Sequence, residues 1–100
     1  MAMTLPNFLI AGAMKAGTTW LAQNLQEHPQ IFIAPEELHF FNNPKNFAKG
    51  LSWYQRHFQA AGSAQAIGEK TAGYFLQDPY PSLIHKFLPN IKIIAVFTIM

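Results

Sequence analysis

One hundred residues are enough for one small domain or for part of a larger one. Half of the residues are apolar and 12% are charged, which excludes a disordered chain. The formal net charge is +2, and lysine and arginine occur as scattered single residues, so the sequence has no basic stripe and nucleic acid is not an expected partner.

The sequence also predicts where the protein resides. It contains no cysteine, which excludes disulfides and thiolate metal sites and fits a reducing compartment. No apolar run approaches the roughly 18 residues of a membrane span, and the N-terminus lacks the basic region of a secretory leader. We therefore expect no membrane span and a cytoplasmic location.

Short apolar runs alternate with stretches of helical periodicity along the chain. The run from Phe8 to Ala11 predicts a buried strand, and residues 18–27 are predicted to form a helix. The buried side of this helix would carry Leu21, Leu25 and Trp20. Further elements are predicted in chain order: a strand at 31–33, a helix at 51–60, a strand at 66–68, a helix at 81–87 and a strand at 91–97. This alternation predicts an α/β fold with a mostly parallel sheet.

The last apolar run, Ile91 to Phe97, is interrupted only by Lys92. Such a run is typical of a strand that is buried on both faces of a parallel sheet. A strand of this kind needs neighbours and covering helices, and the sequence stops at Met100. We therefore expect the chain to be a fragment of a larger domain.

The stretch between the first strand and the first helix has the composition of an anion-binding loop. Gly12 and Gly17 bound the loop, and Thr18 and Thr19 open the helix. Glycines allow successive N–H groups to point inward, and a helix N-terminus adds partial positive charge. The threonine hydroxyls can donate to the same oxygens, and Lys15 supplies a full charge. The stretch therefore predicts a phosphate or sulfate site.

The glycine spacing matches the Walker A frame G-x-x-x-x-G-K-[ST], but the lysine does not. A Walker lysine would stand at position 18, where this sequence has Thr18; its lysine, Lys15, lies three positions earlier. No residue resembles a Walker B aspartate that would hold Mg²⁺, so we expect no metal. A P-loop nucleotide-binding kinase or ATPase remains the alternative.

A second stretch, from Pro35 to Phe41, places Glu37 and His39 two residues apart. On an extended backbone these two side chains would point the same way. Leu38 and the two phenylalanines at 40 and 41 would surround them with low-dielectric walls, which can raise a carboxylate's affinity for a proton. Such a pair suits a general base that takes a proton from a hydroxyl or amine. The alternative is a surface glutamate beside a half-buried histidine.

Four short motifs together resemble the sulfotransferases that use 3′-phosphoadenosine 5′-phosphosulfate (PAPS), especially the heparan-sulfate-type enzymes and their bacterial relatives. In chain order the motifs are G-x-x-K-x-G-T-T at 12–19, Glu37-Leu38-His39-Phe40-Phe41, the glycine, tryptophan and tyrosine at 50, 53 and 54, and Gly68-Glu69-Lys70-Thr71-Ala72-Gly73-Tyr74-Phe75. The resemblance covers roughly residues 6–96 and is much more specific than the first loop alone.

The resemblance implies a P-loop-like three-layer α/β fold and transfer of a sulfuryl group from PAPS to a small-molecule or glycan hydroxyl or amine. Glu37 would be the catalytic base and His39 would assist it or position the acceptor. Lys15 and Lys70 would stabilise the developing charge. The 5′-phosphosulfate would be held by Lys15, Ala16, Gly17, Thr18 and Thr19. Trp20 would pack on adenine, or alternatively belong to the core of the first helix.

The match ends near residue 97. The family's second cofactor motif begins there with an arginine that grips the 3′-phosphate of PAPS, whereas this sequence has Thr98, which lacks the charge and the bidentate geometry. We therefore expect residues 1–100 to be the N-terminal portion of a single sulfotransferase domain. They would contain the 5′-phosphosulfate loop and the catalytic-base segment, without the 3′-phosphate motif. A non-catalytic truncated remnant is the further alternative.

Overall fold

The computed structural model describes residues 4–12, 17–71 and 80–95. Within these ranges the chain alternates strands and helices, as the sequence predicts. The elements are β1 Phe8–Gly12, α1 Thr18–Leu25, β2 Ile31–Ile33, α2 Pro44–Phe47, α3 Leu51–Arg56, a 3₁₀ helix Gln59–Ala61, β3 Ala66–Lys70, α4 Tyr80–Phe87 and β4 Lys92–Ala95.

The four strands form one parallel sheet in the order β2-β3-β1-β4. Asn7 extends the central pairing before β1 begins: its main-chain N–H donates to the Ile67 carbonyl at 2.7 Å, and its side-chain oxygen accepts from the Ile67 N–H at 2.9 Å. Because the strands are parallel, all their carboxyl ends meet at one edge of the sheet. The predicted α/β class and parallel sheet are confirmed.

Side chains of β1 alternate between two cores, one on each face of the sheet. Leu9 packs into a cluster that includes Tyr54 of α3 and Ile84 of α4. Its neighbours Phe8 and Ile10 pack on the opposite face, in a cluster that includes residues of α1 and β2. Helices therefore cover both faces, which gives the three-layer arrangement that the sequence predicts.

The larger core is built from aromatic rings. The Phe40 ring stacks on Tyr54 with centroids 4.5 Å apart and lies edge-on to Phe41 at 5.0 Å. Aromatic pairs of this kind contribute about 0.5–1.5 kcal/mol each beyond the area they bury. Trp53 and Tyr54 of the third motif both join this core, whereas Tyr74 and Phe75 of the fourth lie outside the described residues.

Several element boundaries differ from the predicted ones. The Asn43–Pro44 pair reads as a turn in the sequence but starts helix α2: the Asn43 side-chain oxygen accepts from the N–H groups of Lys45 at 2.9 Å and Asn46 at 3.3 Å. An asparagine cap followed by proline is a favourable helix start. The helix predicted over 51–60 ends at Arg56 and is followed by the 3₁₀ turn.

Two burial predictions are wrong. β4 lies at the edge of the sheet, and Ile93 is 40% exposed, because β1 is its one strand neighbour in the part of the chain that the structure describes. Trp20 is 67% exposed on α1, so it is not a core residue. Its neighbour Ala22 is buried against the sheet instead.

Replacing Gly68 by alanine is expected to lower the free energy of unfolding by about 1–3 kcal/mol, the usual cost of overpacking. A Cβ at this position would lie 2.5 Å from Cζ of the Phe8 ring, so the ring would have to move. Urea denaturation of the two single variants Gly68→Ala and Phe8→Leu and of the double variant measures the effect. The leucine should relieve part of the alanine's cost; simply additive losses would contradict the contact as the cause.

Candidate functional site

Three predicted site residues meet at the carboxyl edge of the sheet. Lys70 is the last residue of β3, Glu37 lies in the segment after β2, and Thr19 lies in the first turn of α1. The Lys70 ammonium donates to Thr19 Oγ1 at 3.0 Å and to Glu37 Oε2 at 3.3 Å. These partners are 51 and 33 positions away in the sequence. The fold therefore assembles one polar centre from three separate motifs.

The N-terminus of α1 adjoins this centre. Gly17 precedes the helix with a φ of 88°, a left-handed conformation that glycine adopts without the strain imposed by a Cβ. Its carbonyl accepts from the Leu21 N–H at 3.0 Å, and no side chain in the described ranges caps this end. Helix geometry leaves the first N–H groups without intrahelical acceptors, so they can bind an anion.

The predicted loop residues are placed only in part. The backbone at Thr18 and Thr19 forms the first turn of α1, and the Thr19 side chain is exposed. Trp20 follows on the helix with its ring largely in solvent. Lys15 and Ala16 lie outside the described residues, so their predicted contacts stay predictions.

The structure also brings Glu37 and His39 together. Glu37 Oε1 lies 3.9 Å from His39 Nε2, and the two side chains are 36% and 44% exposed. The condition of an extended backbone is not met, because His39 has a φ of +47°. The pair therefore meets through a left-handed turn rather than through the alternation of a strand.

Hydrogen bonds from two neighbouring segments hold the turn at His39. The His39 N–H donates to Thr71 Oγ1 at 3.3 Å, and the Asn46 side-chain amide donates to the carbonyls of Leu38 at 3.1 Å and His39 at 3.3 Å. The His39 ring contacts Asn42, with Nδ1 and Oδ1 3.3 Å apart. These contacts offset the cost of a left-handed conformation at a residue with a side chain.

The predicted apolar enclosure of Glu37 is also wrong. Leu38, Phe40 and Phe41 are buried in the aromatic core beneath the turn, whereas Glu37 remains on the surface side. The turn at His39 changes the direction of the chain, so the apolar side chains and the carboxylate point into different surroundings. Lys70 and His39 are two groups that lie close to the Glu37 carboxylate.

Glu69 is the residue that sequence reasoning missed. It is fully buried and accepts hydrogen bonds from the Tyr54 hydroxyl and, at 2.6 Å, from the Thr71 hydroxyl. Because Thr71 Oγ1 in turn accepts from the His39 N–H, a buried carboxylate supports the turn at the site. The alternation of side chains along a strand could have indicated its buried position, because Glu69 must face the opposite core if Lys70 faces the site.

A cavity of about 260 Å³ adjoins the Glu37–Lys70 pair, between α1 and the segment after β2. Its lining consists of Thr19, Ala22, Gln23, Gln26, Ile33, Ala34, Pro35, Glu36, Glu37 and Lys70. A larger cavity of about 450 Å³ lies at the amino ends of the strands, around Asn7 and Lys92, and no predicted site residue lines it. Of these two cavities, the one of about 260 Å³ adjoins Glu37 and Lys70.

The described ranges contain neither a metal-binding cluster nor a membrane-spanning helix. No group of three or more histidine, cysteine, aspartate or glutamate side chains there is arranged to hold a metal ion. No helix in those ranges has the length and apolar character needed to cross a membrane.

The chain is similar to known sulfotransferases. Residues 6–81 match the sulfotransferase family model. The chain is 36% identical to heparan sulfate glucosamine 3-O-sulfotransferase 5 of Mus musculus, over 92% of this chain and 27% of that protein. It is 40% identical to the bifunctional heparan sulfate N-deacetylase/N-sulfotransferase 2 of Homo sapiens, over 94% of this chain and 11% of that protein.

A solved structure also has the same fold. The crystal structure of a sulfotransferase from Alicyclobacillus acidocaldarius superposes with a TM-score of 0.82 at 29% identity, covering 92% of this chain and 44% of that one. The chain thus spans between 11% and 27% of the two curated relatives and under half of the solved one. Because the family model covers most of its residues and the motifs meet at one site, the chain belongs to the sulfotransferase family.

Proposed function

We propose that this chain carries the donor-binding and catalytic-base part of an enzyme that transfers a sulfuryl group from PAPS to a hydroxyl or amine. One observation carries the proposal: the Lys70 ammonium joins Thr19 at the start of α1 to Glu37 after β2. The proposed anion-binding end of α1 and the proposed base Glu37 therefore both contact the Lys70 ammonium. The residues form the N-terminal portion of a single sulfotransferase domain.

The described residues fit the 5′-phosphosulfate of PAPS. The N-terminus of α1, the Thr19 hydroxyl and the Lys70 ammonium are three kinds of donor that bind sulfate or phosphate oxygens. Lys15 and the main chain of the preceding loop are predicted to complete this set. Trp20, exposed one residue further along, is proposed to pack on the adenine. When bound, PAPS supplies the activated sulfuryl group.

The remaining chemistry belongs to the Glu37 and His39 side chains. Glu37 is proposed to take the proton from the acceptor hydroxyl or amine, and His39, 3.9 Å from it, is proposed to orient that group. Lys70 and Lys15 are proposed to stabilise charge on the leaving oxygen. Sulfuryl carries less negative charge than a transferring phosphoryl group, so we propose that these cations suffice without a metal.

The names of the relatives support a sugar acceptor, because two of them act on heparan sulfate. A free small molecule with the same reactive group would meet the same chemistry. A cytoplasmic location remains part of the proposal, supported by the absence of cysteine from the sequence.

Calorimetric titration of the chain with PAPS, ATP and adenosine 3′,5′-bisphosphate, with and without Mg²⁺, tests the proposal. We expect PAPS to bind without Mg²⁺. In a separate thermal-shift measurement, PAPS at 100 times its Kd should add about 2.7 kcal/mol to the free energy of unfolding. Mg²⁺-dependent ATP binding without any response to the bisphosphate would instead indicate a kinase or ATPase. A chain without a cooperative melting transition would indicate a non-catalytic remnant.

A further inference from the structure

We infer that Thr71 and Asn46 are positioning residues for the proposed base Glu37. Both act through the main chain at His39, and together they set the direction and separation of the Glu37 and His39 side chains. The inference rests on the proposed sulfuryl transfer and adds two residues to it. Neither residue lines the cavity of about 260 Å³ beside Glu37, so neither is expected to contact the donor or the acceptor.

The Glu37 and His39 side chains do not hold each other in place. Glu37 Oε1 and His39 Nε2 are 3.9 Å apart, which is beyond the roughly 2.7–3.2 Å of a direct hydrogen bond. The Lys70 ammonium contacts the carboxylate, and the Asn42 side chain contacts the ring. Because these two contacts hold the side chains one by one, the geometry of the pair depends on the main chain that joins them.

This main chain bends at His39. The φ of +47° lies in the left-handed region, which residues with a Cβ rarely adopt without support. A return of this dihedral to an extended or right-handed helical value would move the His39 ring relative to the Glu37 carboxylate. The hydrogen bonds that hold the turn therefore also hold the geometry of the proposed base.

Thr71 holds the N–H side of the turn from the end of β3. Its hydroxyl has one hydrogen, which it donates to Glu69 Oε1 at 2.6 Å, so its oxygen is the acceptor for the His39 N–H at 3.3 Å. Its own N–H donates to a carbonyl of β1 at 3.2 Å. Lys70, one residue earlier, contacts the Glu37 carboxylate. Two consecutive residues therefore hold the base by its side chain and by the turn that follows it.

Asn46 holds the carbonyl side of the turn from α2. Its side-chain amide donates to two consecutive carbonyls, those of Leu38 at 3.1 Å and His39 at 3.3 Å. The main-chain N–H of Asn46 donates to the capping oxygen of Asn43 at 3.3 Å, which fixes Asn46 at the start of the helix. The turn is thus bonded on both sides by residues of two different elements.

Two substitutions that keep the size of the side chain test the inference in a full-length enzyme that contains this segment. Thr71→Val removes the hydroxyl, and Asn46→Asp replaces the amide donor by an oxygen that repels the two carbonyls. We expect each change to lower kcat by about 10- to 100-fold, since a misplacement of about 1 Å can cost about 100-fold. The Kd for adenosine 3′,5′-bisphosphate should stay within about twofold, because neither change touches the proposed donor site. Release of the bisphosphate from PAPS with glucosamine as acceptor gives kcat, and calorimetry gives the Kd.

Three further variants serve as controls. Thr71→Ser keeps the hydroxyl and should keep kcat within about threefold of the parent value. Tyr54→Phe removes the other hydroxyl that donates to Glu69 but no bond at the turn, so it should lower stability and leave kcat within about twofold. Asn90→Asp makes the same charge change as Asn46→Asp at an exposed position beside the other cavity, and it should leave kcat unchanged.

Two results overturn the inference: an unchanged kcat in Asn46→Asp, or a loss in Thr71→Ser or Tyr54→Phe as large as that in Thr71→Val. Asn46→Asp leaves the bonds of Glu69 in place, so it decides the question alone if Thr71→Val does not fold. The proposed function fails separately, if the parent enzyme neither binds the bisphosphate nor releases it from PAPS.

Discussion

In a full-length enzyme that contains this segment, replacing Glu37 by glutamine is expected to lower the rate of sulfuryl transfer by about 10²–10⁴-fold, the usual contribution of a positioned general base. The amide keeps the size of the side chain but cannot take a proton. The Kd for adenosine 3′,5′-bisphosphate should not rise, because the change removes a negative charge 3.3 Å from the Lys70 ammonium. Release of the bisphosphate from PAPS, measured with glucosamine as acceptor, reports the rate.

Glu27→Gln is the matched control, since Glu27 is an exposed carboxylate just beyond α1 that does not line the cavity. It should leave the rate within a factor of two, a change of about 0.4 kcal/mol in activation free energy. An equal loss of rate in both variants, or an unchanged rate in Glu37→Gln, would show that Glu37 is not the general base.

Replacing Glu69 by alanine is expected to lower the free energy of unfolding by about 3–5 kcal/mol. The hydroxyls of Tyr54 and Thr71 would lose the carboxyl group that accepts their hydrogen bonds inside the core. Each buried donor left without a partner costs about 1–3 kcal/mol, and the deleted volume adds the cost of a cavity. Since small domains are stable by about 5–15 kcal/mol, this change removes a large share. Urea denaturation measures this loss when the free energy of unfolding falls with urea concentration at the same slope in the variant and the parent chain.

Two further variants test the cause of that loss. Glu27→Ala removes an exposed carboxylate and should change the free energy of unfolding by no more than about 0.5 kcal/mol. Tyr54→Phe removes one donor to Glu69 and keeps the ring stacked on Phe40, so we expect an intermediate loss of about 1–3 kcal/mol. A Glu69→Ala variant as stable as the parent chain would show that the buried network contributes nothing.

The sequence predicts the framework of this fold well, because periodicity reports which faces are buried. The run at β1 places apolar residues on both faces, as a central parallel strand requires, and the structure has it between two neighbours. The convergence of Thr19, Glu37 and Lys70 is likewise predictable, since each follows or ends a strand at the same edge of the sheet.

Local conformation and exposure are harder to predict. The left-handed turn at His39 depends on Asn46 and Thr71, and Thr71 is 32 positions away, so no pattern around the histidine predicts it. The exposed position of Ile93 depends on which strand lies beside β4, a property of the sheet order rather than of the apolar run. An Asn-Pro pair indicates a turn and a helix cap equally well.

Glu69 and Lys70 are consecutive residues on β3, paired in register with Leu9 and Ile10 of β1. A shift of this strand by one residue would exchange the two faces, leaving an ammonium among aromatic rings and a carboxylate beside the anion-binding helix. Only the correctly aligned sheet therefore gives both side chains the hydrogen-bond partners that they have in this structure.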